Sequence, residues 1–156
     1  MTTMCALCAT VLLTIGQTDE AIIAKEKMKS MDVFVGEWET QLDPSTKGVW
    51  KLERAMDGLY MCETFTVVPA EGPKVEVVRS MIAWDKEKKQ IRATNHWDSG
   101  GVTNQVWCRL DKDHWALNWA DGNVQAWLTF KDADTLELLG GDGITRTSKR
   151  VQPTVK

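Results

Sequence analysis

Four polar side chains interrupt apolar rows of alternate residues in the middle of the sequence. Glu63, Arg79, Asn95 and Asn104 each stand in a row whose other members are mostly apolar or aromatic. If these rows line one enclosed space, the guanidinium of Arg79 would anchor a carboxylate or another anionic head group. Glu63, surrounded by apolar residues, would have a raised pKa and could act as a general base. The alternatives are a structural ion pair between Glu63 and Arg79, or a one-residue register slip that places both on the surface.

Apolar and aromatic positions in the same rows would hold the rest of a ligand. The chain has eight tryptophans, against one tyrosine and three phenylalanines. An indole combines a large apolar face with one N–H donor, which suits either a large core or an aromatic-lined pocket. The predicted lumen residues are therefore Glu63, Phe65, Arg79, Met81, Asn95, Trp97, Asn104, Trp115 and Trp119.

Other catalytic and cofactor-binding patterns are weak. The two histidines, His96 and His114, have no acidic residue at metal-ligand spacing, and neither is predicted to face a cavity where it would bind haem. The sequence has no nucleophile elbow, no glycine-rich phosphate loop and no His-x-x-x-His pair. We therefore predict no metal and no cofactor, and we assign no catalytic residue.

Short strands and turns, preceded by a single helix, would position these residues. A helical pattern runs from Thr18 to about Met31. Ten candidate strands follow, at residues 33–41, 47–56, 59–68, 74–84, 90–97, 102–110, 114–120, 123–131, 135–139 and 144–151. The loops are too short for parallel crossovers, and Asp121-Gly122 is the strongest hairpin signal. Because closure removes exposed sheet edges, we predict an all-β fold, a closed up-and-down antiparallel barrel of about ten strands with one N-terminal helix; a two-sheet sandwich is the alternative.

The stretch "FVGEW" at the first predicted strand resembles the Gly-x-Trp signature of the calycin superfamily, which includes the lipocalins and the intracellular fatty-acid-binding proteins. The resemblance implies that Gly36 opens the first strand and that Trp38 closes the base of the barrel. It also implies that an arginine from the last strand stacks over the indole. The C-terminal stretch "GITRTSKRV" supplies Arg146 for this role, with Arg150 as the alternative.

The middle of the chain departs from the best-known members of that superfamily. Residues 42–47 are too few for the helix pair that fatty-acid-binding proteins insert between their first two strands, and neither the second lipocalin signature nor a C-terminal helix is present. The sequence more closely resembles an uncharacterised bacterial family of lipocalin-like domains of unknown function. The similarity covers residues 20–150 and rests on Asp57-Gly58, Trp84-Asp85 and the stretch Trp97-Asp98-Ser99-Gly100.

Length and charge exclude some function classes. A chain of 156 residues fits one domain, and its net charge of -3 lacks the basic excess that nucleic-acid binding requires.

Residues 1–16 contain no charged side chain, and their apolar run from Cys5 to Ile15 is too short to span a bilayer but has the length of a signal-peptide core. No Lys or Arg precedes that run, so a start further upstream or a buried helix stays open. We predict a signal peptide at 1–16, a helix at 17–32, a barrel at 33–152, and export to the periplasm or the extracellular space; without cleavage the protein would be cytoplasmic.

Four tryptophans fall in the rows predicted to face outward: Trp50, Trp84, Trp107 and Trp127. So many exposed indoles would form an unusually large apolar surface on a monomer. Either strand bulges shift their register, or the N-terminal helix and a partner subunit cover them, which allows a homodimer. Cys62 and Cys108 fall in rows that face opposite ways, so we predict no disulfide between them.

These observations favour a barrel that binds a small apolar and anionic ligand in an aromatic lumen. The alternative is an enzyme on the same barrel, in which Glu63 acts as a base and Arg79 clamps an oxyanion. A third reading is a barrel packed solid, with interaction surfaces only. Fold resemblance alone does not choose among them.

Overall fold

The computed structural model describes residues 19–152 and contains one α-helix and ten β-strands. Helix α1 spans Asp19–Met28 and continues as a 3₁₀ helix over Lys29–Phe34. The strands are β1 (Gly36–Asp43), β2 (Thr46–Ala55), β3 (Tyr60–Pro69), β4 (Val75–Asp85), β5 (Gln90–Trp97), β6 (Val102–Arg109), β7 (His114–Trp119), β8 (Val124–Asp132), β9 (Thr135–Gly140) and β10 (Thr145–Arg150). A short 3₁₀ turn, Met56–Gly58, joins β2 to β3. The predicted signal peptide at 1–16 lies outside the described residues.

The ten strands form a closed barrel in which each strand pairs with its neighbours in the chain, and β1 pairs with β10. Every pairing is antiparallel, as the short turns require. The predicted closed up-and-down barrel with one N-terminal helix is therefore confirmed, and the two-sheet sandwich is wrong. Within residues 19–152 no helix is long and apolar enough to cross a membrane.

The two ends of the barrel differ. At the end that we call the base, the 3₁₀ helix leads into β1, and the aromatic ring of Phe34 is fully buried. Its centroid lies 5.8 Å from that of Trp50, 5.2 Å from those of Trp107 and Trp115, and 4.9 Å from that of Phe130. This aromatic cluster, together with buried aliphatic residues, fills the lower half of the lumen. The opposite end, which we call the mouth, carries the turns at 43–46, 69–75, 97–102, 119–124 and 140–145.

Trp38 and Arg150 join the first strand to the last at the base. They are direct partners in the β1–β10 ladder, and the guanidinium carbon of Arg150 lies 4.1 Å from the centroid of the Trp38 ring. The indole N–H of Trp38 donates a 2.9 Å hydrogen bond to the carbonyl of Phe34. Of the two arginines that the sequence offered, the structure therefore selects Arg150, and the assignment of Arg146 to this contact is wrong.

Gly36 is required where the 3₁₀ helix enters β1. Its φ of +127° is a conformation that residues with a side chain rarely adopt. A Cβ added there would also lie 2.8 Å from Nη1 of Arg150. The same guanidinium donates hydrogen bonds to the carbonyls of Val35 and, at 2.9 Å, of Val33. The glycine of the Gly-x-Trp pattern thus makes room for the arginine that covers the tryptophan.

The tryptophans predicted to face outward do not share one environment. Trp50 and Trp107 belong to the buried core, so their outward assignment is wrong. Trp84 is half-buried beside helix α1, where Nζ of Lys27 lies 5.6 Å from its ring centroid. Only Trp127, among these four, is largely exposed, at 43%. The exposed indole surface that suggested a homodimer is therefore mostly buried within the chain.

Candidate functional site

A cavity of about 380 Å³ occupies the half of the lumen nearer the mouth. Its volume lies within the usual range for small-molecule sites, roughly 300–1,000 Å³. The apolar part of its wall includes Trp50, Phe65, Val78, Trp97, Leu117 and Leu138. The polar part includes Glu63, Ser80, Asn95, Gln105, Gln125 and Arg146. The cavity therefore offers a mainly aromatic and aliphatic surface with several hydrogen-bonding groups.

The predicted lumen residues separate into three groups. Those on the cavity wall are Glu63, Phe65, Asn95 and Trp97. Trp115 is fully buried in the core at the base, and Trp119 is half-buried as the ladder partner of Gln105, outside the cavity wall. Arg79, Met81 and Asn104 are exposed on the outside of the barrel, so their placement in the lumen is wrong.

A β-bulge explains the error on β4. Phe65 pairs with Val78 and the next residue of β3 pairs with Glu76, so Val77 is an extra residue on β4. Val77 and Val78 both line the cavity, and after them the alternation places Ser80 inside and Arg79 outside. The bulge thus shifts the inward row by one residue, which an unbroken alternation does not reveal.

The error on β6 has a different cause. The apolar row Val102-Asn104-Val106-Cys108 was predicted to face inward, but Asn104 is exposed and its amide oxygen accepts a 3.2 Å hydrogen bond from the Thr94 hydroxyl. The inward row contains Gln105 and Trp107, both buried. Because the lumen changes from a polar cavity to an aromatic core along this strand, the inward row does not look apolar in the sequence.

Glu63 is the acidic residue of the cavity. The indole N–H of Trp50 donates a 2.6 Å hydrogen bond to its Oε1, whereas the buried Oε2 accepts none from the described residues. Burial raises the pKa of the Glu63 carboxyl, and the Trp50 indole and the neighbouring Ser80 side chain lower it only in part. Burial in the cavity therefore disfavours the charged form of Glu63 relative to water.

Glu63 belongs to a row of polar residues that crosses four adjacent strands. It pairs with Ser80 on β4, Ser80 pairs with Asn95 on β5, and Asn95 pairs with Thr103 on β6. The amide nitrogen of Asn95 donates a 3.3 Å hydrogen bond to Oγ1 of Thr103, which also accepts one of 2.9 Å from the indole of Trp97. These four residues, Glu63, Ser80, Asn95 and Thr103, are called the polar row below.

The cationic residue of the cavity wall is Arg146, not Arg79. Nη2 of Arg146 lies 2.7 Å from a carboxylate oxygen of Asp142 in the β9–β10 turn at the mouth. Arg79 makes a two-point contact with Glu76 on the outer surface, at 2.8 and 2.9 Å. Both guanidinium groups are thus already paired with a carboxylate.

The acid–base arrangement proposed from the sequence is not assembled. Glu63 lies on the inner face of the wall and Arg79 on the outer face, although their strands are adjacent. A structural ion pair between them is excluded for the same reason. In residues 19–152 no group of three or more His, Cys, Asp or Glu side chains is arranged to hold a metal ion. Cys62 and Cys108 are free thiols, but the prediction that they face opposite ways is wrong, because Cys108 lies in the outward row of Asn104.

Several cavity residues were not predicted. Ser80 was missed because of the β4 bulge, and Gln105 because its row contains polar side chains. The side chains of Gln105 and Gln125 are hydrogen-bonded to each other on the cavity wall. Small and amide residues lie at the same level on successive strands. This pattern could have predicted the polar part of the cavity wall, but it is visible only when the strand register is known.

A scan of the sequence against protein-family models finds no match, and a search of curated proteins finds none either. The closed ten-strand antiparallel barrel with one N-terminal helix fits a lipocalin-like fold.

Proposed function

We propose that this protein is a calycin-type, lipocalin-like barrel, related to the bacterial domains of unknown function that its motifs resemble, and that it binds one small apolar molecule in the cavity near the mouth. The observation that supports this most directly is the cavity itself, about 380 Å³ with aromatic and aliphatic walls. A barrel packed solid would leave no such volume, because protein interiors are close-packed. Trp50 and Trp97 lie on the wall, so a bound apolar molecule would contact indole rings.

The cavity wall supports the apolar part of the ligand that the sequence predicts, but not its anionic head group. An anionic head group was expected because Arg79 was placed in the lumen, and Arg79 lies outside, paired with Glu76. Arg146 does line the cavity, but its charge is already matched by Asp142. The proposed ligand is therefore defined by its apolar body, and an anionic group is no longer part of the proposal.

A fluorescent probe tests this proposal. N-phenyl-1-naphthylamine is small, uncharged and apolar, and its emission rises in apolar surroundings. We expect saturable binding with one probe per chain, accompanied by quenching of tryptophan emission. Val78→Phe fills part of the cavity, and its affinity for the probe should fall about 5- to 150-fold if overfilling costs roughly 1–3 kcal/mol.

A matched variant on the same strand provides the control. Met81 is 51% exposed on the outer face, so Met81→Phe adds an aromatic ring to β4 without entering the cavity. It should bind the probe as the wild type does. Equal affinities of the two variants, with both folded by near-ultraviolet circular dichroism, would refute binding in the cavity, and absence of saturable binding by the wild type would refute the function.

A further inference from the structure

The polar row contains two buried oxygen atoms that no group in the described residues satisfies. One is Oε2 of Glu63 and the other is Oδ1 of Asn95. Both residues line the cavity, and Asn95 is only 2% exposed. A buried polar atom without a hydrogen-bond partner is costly, so such atoms usually mark a site that another molecule completes.

The row is already satisfied at its other positions. Oε1 of Glu63 accepts from the Trp50 indole, and the amide nitrogen of Asn95 donates to Thr103. The remaining oxygens of Glu63 and Asn95 belong to strands β3 and β5, which are separated by β4. Two interstrand spacings put their backbones roughly 10 Å apart, and both side chains line the same cavity.

The chemistry of these two atoms defines a complementary group. Oδ1 of a carboxamide is an acceptor only, so its partner must donate a hydrogen bond. Burial raises the pKa of the Glu63 carboxyl, and in its protonated form this group has one O–H to donate and still accepts. An alcohol hydroxyl can donate to Asn95 and accept from a protonated Glu63, whereas an ether oxygen has no hydrogen to donate to Asn95.

Charge considerations exclude the ionic alternatives. A carboxylate cannot donate to Asn95 and would lose its hydration in a mainly apolar cavity. An ammonium group would likewise lose its hydration in this cavity. An uncharged head group avoids both costs.

We propose that the polar row binds the hydroxyl group of an apolar alcohol, with Asn95 as the obligatory acceptor and Glu63 as its second partner. This inference rests on the proposed function, because it names the polar end of the molecule that the cavity holds. The alkyl or ring body of the alcohol would lie toward the aromatic part of the wall.

Displacement of N-phenyl-1-naphthylamine by compounds of matched size tests the proposal. The compounds are 1-nonanol, methyl octyl ether, nonylamine and octanoate, all with an apolar chain of similar length. We expect 1-nonanol to displace the probe at a concentration about tenfold lower than methyl octyl ether, since the ether leaves Asn95 unpaired. Equal displacement by alcohol and ether, or stronger displacement by the amine or the carboxylate, would overturn the proposal while leaving the proposed function intact.

Two variants test whether the preference for the alcohol over the ether arises at the polar row. In Asn95→Leu, the concentration of 1-nonanol that displaces the probe should rise to that of methyl octyl ether. Arg79→Met, on the outer surface, should preserve the wild-type preference for the alcohol. Persistence of the preference in a folded Asn95→Leu protein would overturn the assignment to the polar row. If that variant does not fold, the comparison of alcohol with ether in the wild type still tests whether the cavity prefers a hydroxyl group. A wild type that binds neither the probe nor any of the four compounds would remove the proposed function, and this inference with it.

Discussion

Replacing Arg150 by methionine should destabilise the barrel by several times more than replacing Arg146 by methionine. The two arginines lie four residues apart on β10, and methionine keeps most of the apolar stem of either side chain. Arg150 packs over the Trp38 ring and donates to the carbonyls of Val33, Val35 and Ala133. Its loss therefore affects the junction of the first strand, the last strand and the 3₁₀ helix.

The expected magnitude follows from these contacts. The Arg150 side chain is 23% exposed, so its cation–π contact with Trp38 is partly desolvated and contributes about 1–2 kcal/mol. Hydrogen bonds from a charged donor contribute about 1.5–3 kcal/mol singly, but three bonds from one group are not additive. The ion pair with Asp134, whose side chain is 55% exposed, adds little. We expect a loss of about 3–4 kcal/mol in the free energy of unfolding.

Arg146 provides the matched comparison. Its main partner is Asp142, whose side chain is 46% exposed at a turn, and such pairs contribute roughly 0–1 kcal/mol. Urea unfolding followed by tryptophan fluorescence measures both variants. For a chain of this length the Arg150→Met loss corresponds to a fall in Tm of roughly 6–16 °C. If Arg146→Met proves as destabilising as Arg150→Met, the base contact has been assigned to the wrong residue.

Two further predictions concern the cavity wall. Gly48→Ala should destabilise by about 1–3 kcal/mol, because the added Cβ would lie 2.6 Å from the Phe65 ring. Gly101→Ala, whose nearest neighbour is 3.7 Å away, should have little effect, and equal unfolding midpoints for the two variants would contradict the packing argument. Glu63→Gln should remove a pH dependence of stability. Because burial raises the folded-state pKa of Glu63, its contribution is fully present below the unfolded value near 4.5 and is lost as the pH rises through the folded-state pKa. The variant should therefore match the wild type near pH 4 and exceed its stability increasingly as the pH rises above 4.5 toward the folded-state pKa, and parallel pH profiles would show that Glu63 is not desolvated.

Local patterns in the sequence were sufficient to predict the architecture. Turn residues at even intervals, short loops and alternating side chains indicate antiparallel hairpins, and a sheet of about ten such strands is stabilised by closure. The positions of Gly36 and Trp38 were implied by the resemblance to the Gly-x-Trp signature, and in the structure Gly36 begins β1 and Trp38 is fully buried. The closed barrel itself follows from these signals without knowledge of the strand register.

The identity of the cavity residues was decided by the tertiary structure. Alternation divides a strand into two rows, but it does not say which row faces inward when a bulge shifts one of them, as at Val77. It also fails where the lumen is polar, because the inward row of β6 carries Gln105 next to Trp107. The sequence predicted Glu63 and Asn95 correctly as inward-facing, since no bulge separates them from the apolar residues of their own rows.

The two arginines of β10 also show what the sequence predicts and what it leaves open. Arg146 and Arg150 are separated by an even number of residues, so they share one face of β10 and no periodicity distinguishes them. Only the register of β1 against β10, which sets Trp38 opposite Arg150, assigns one to the base and leaves the other on the cavity wall. The sequence alone thus determined the closed barrel and the residue types that it contains. The tertiary structure decided which of them meet, because strand register and bulges depend on pairing between segments that are distant in the chain.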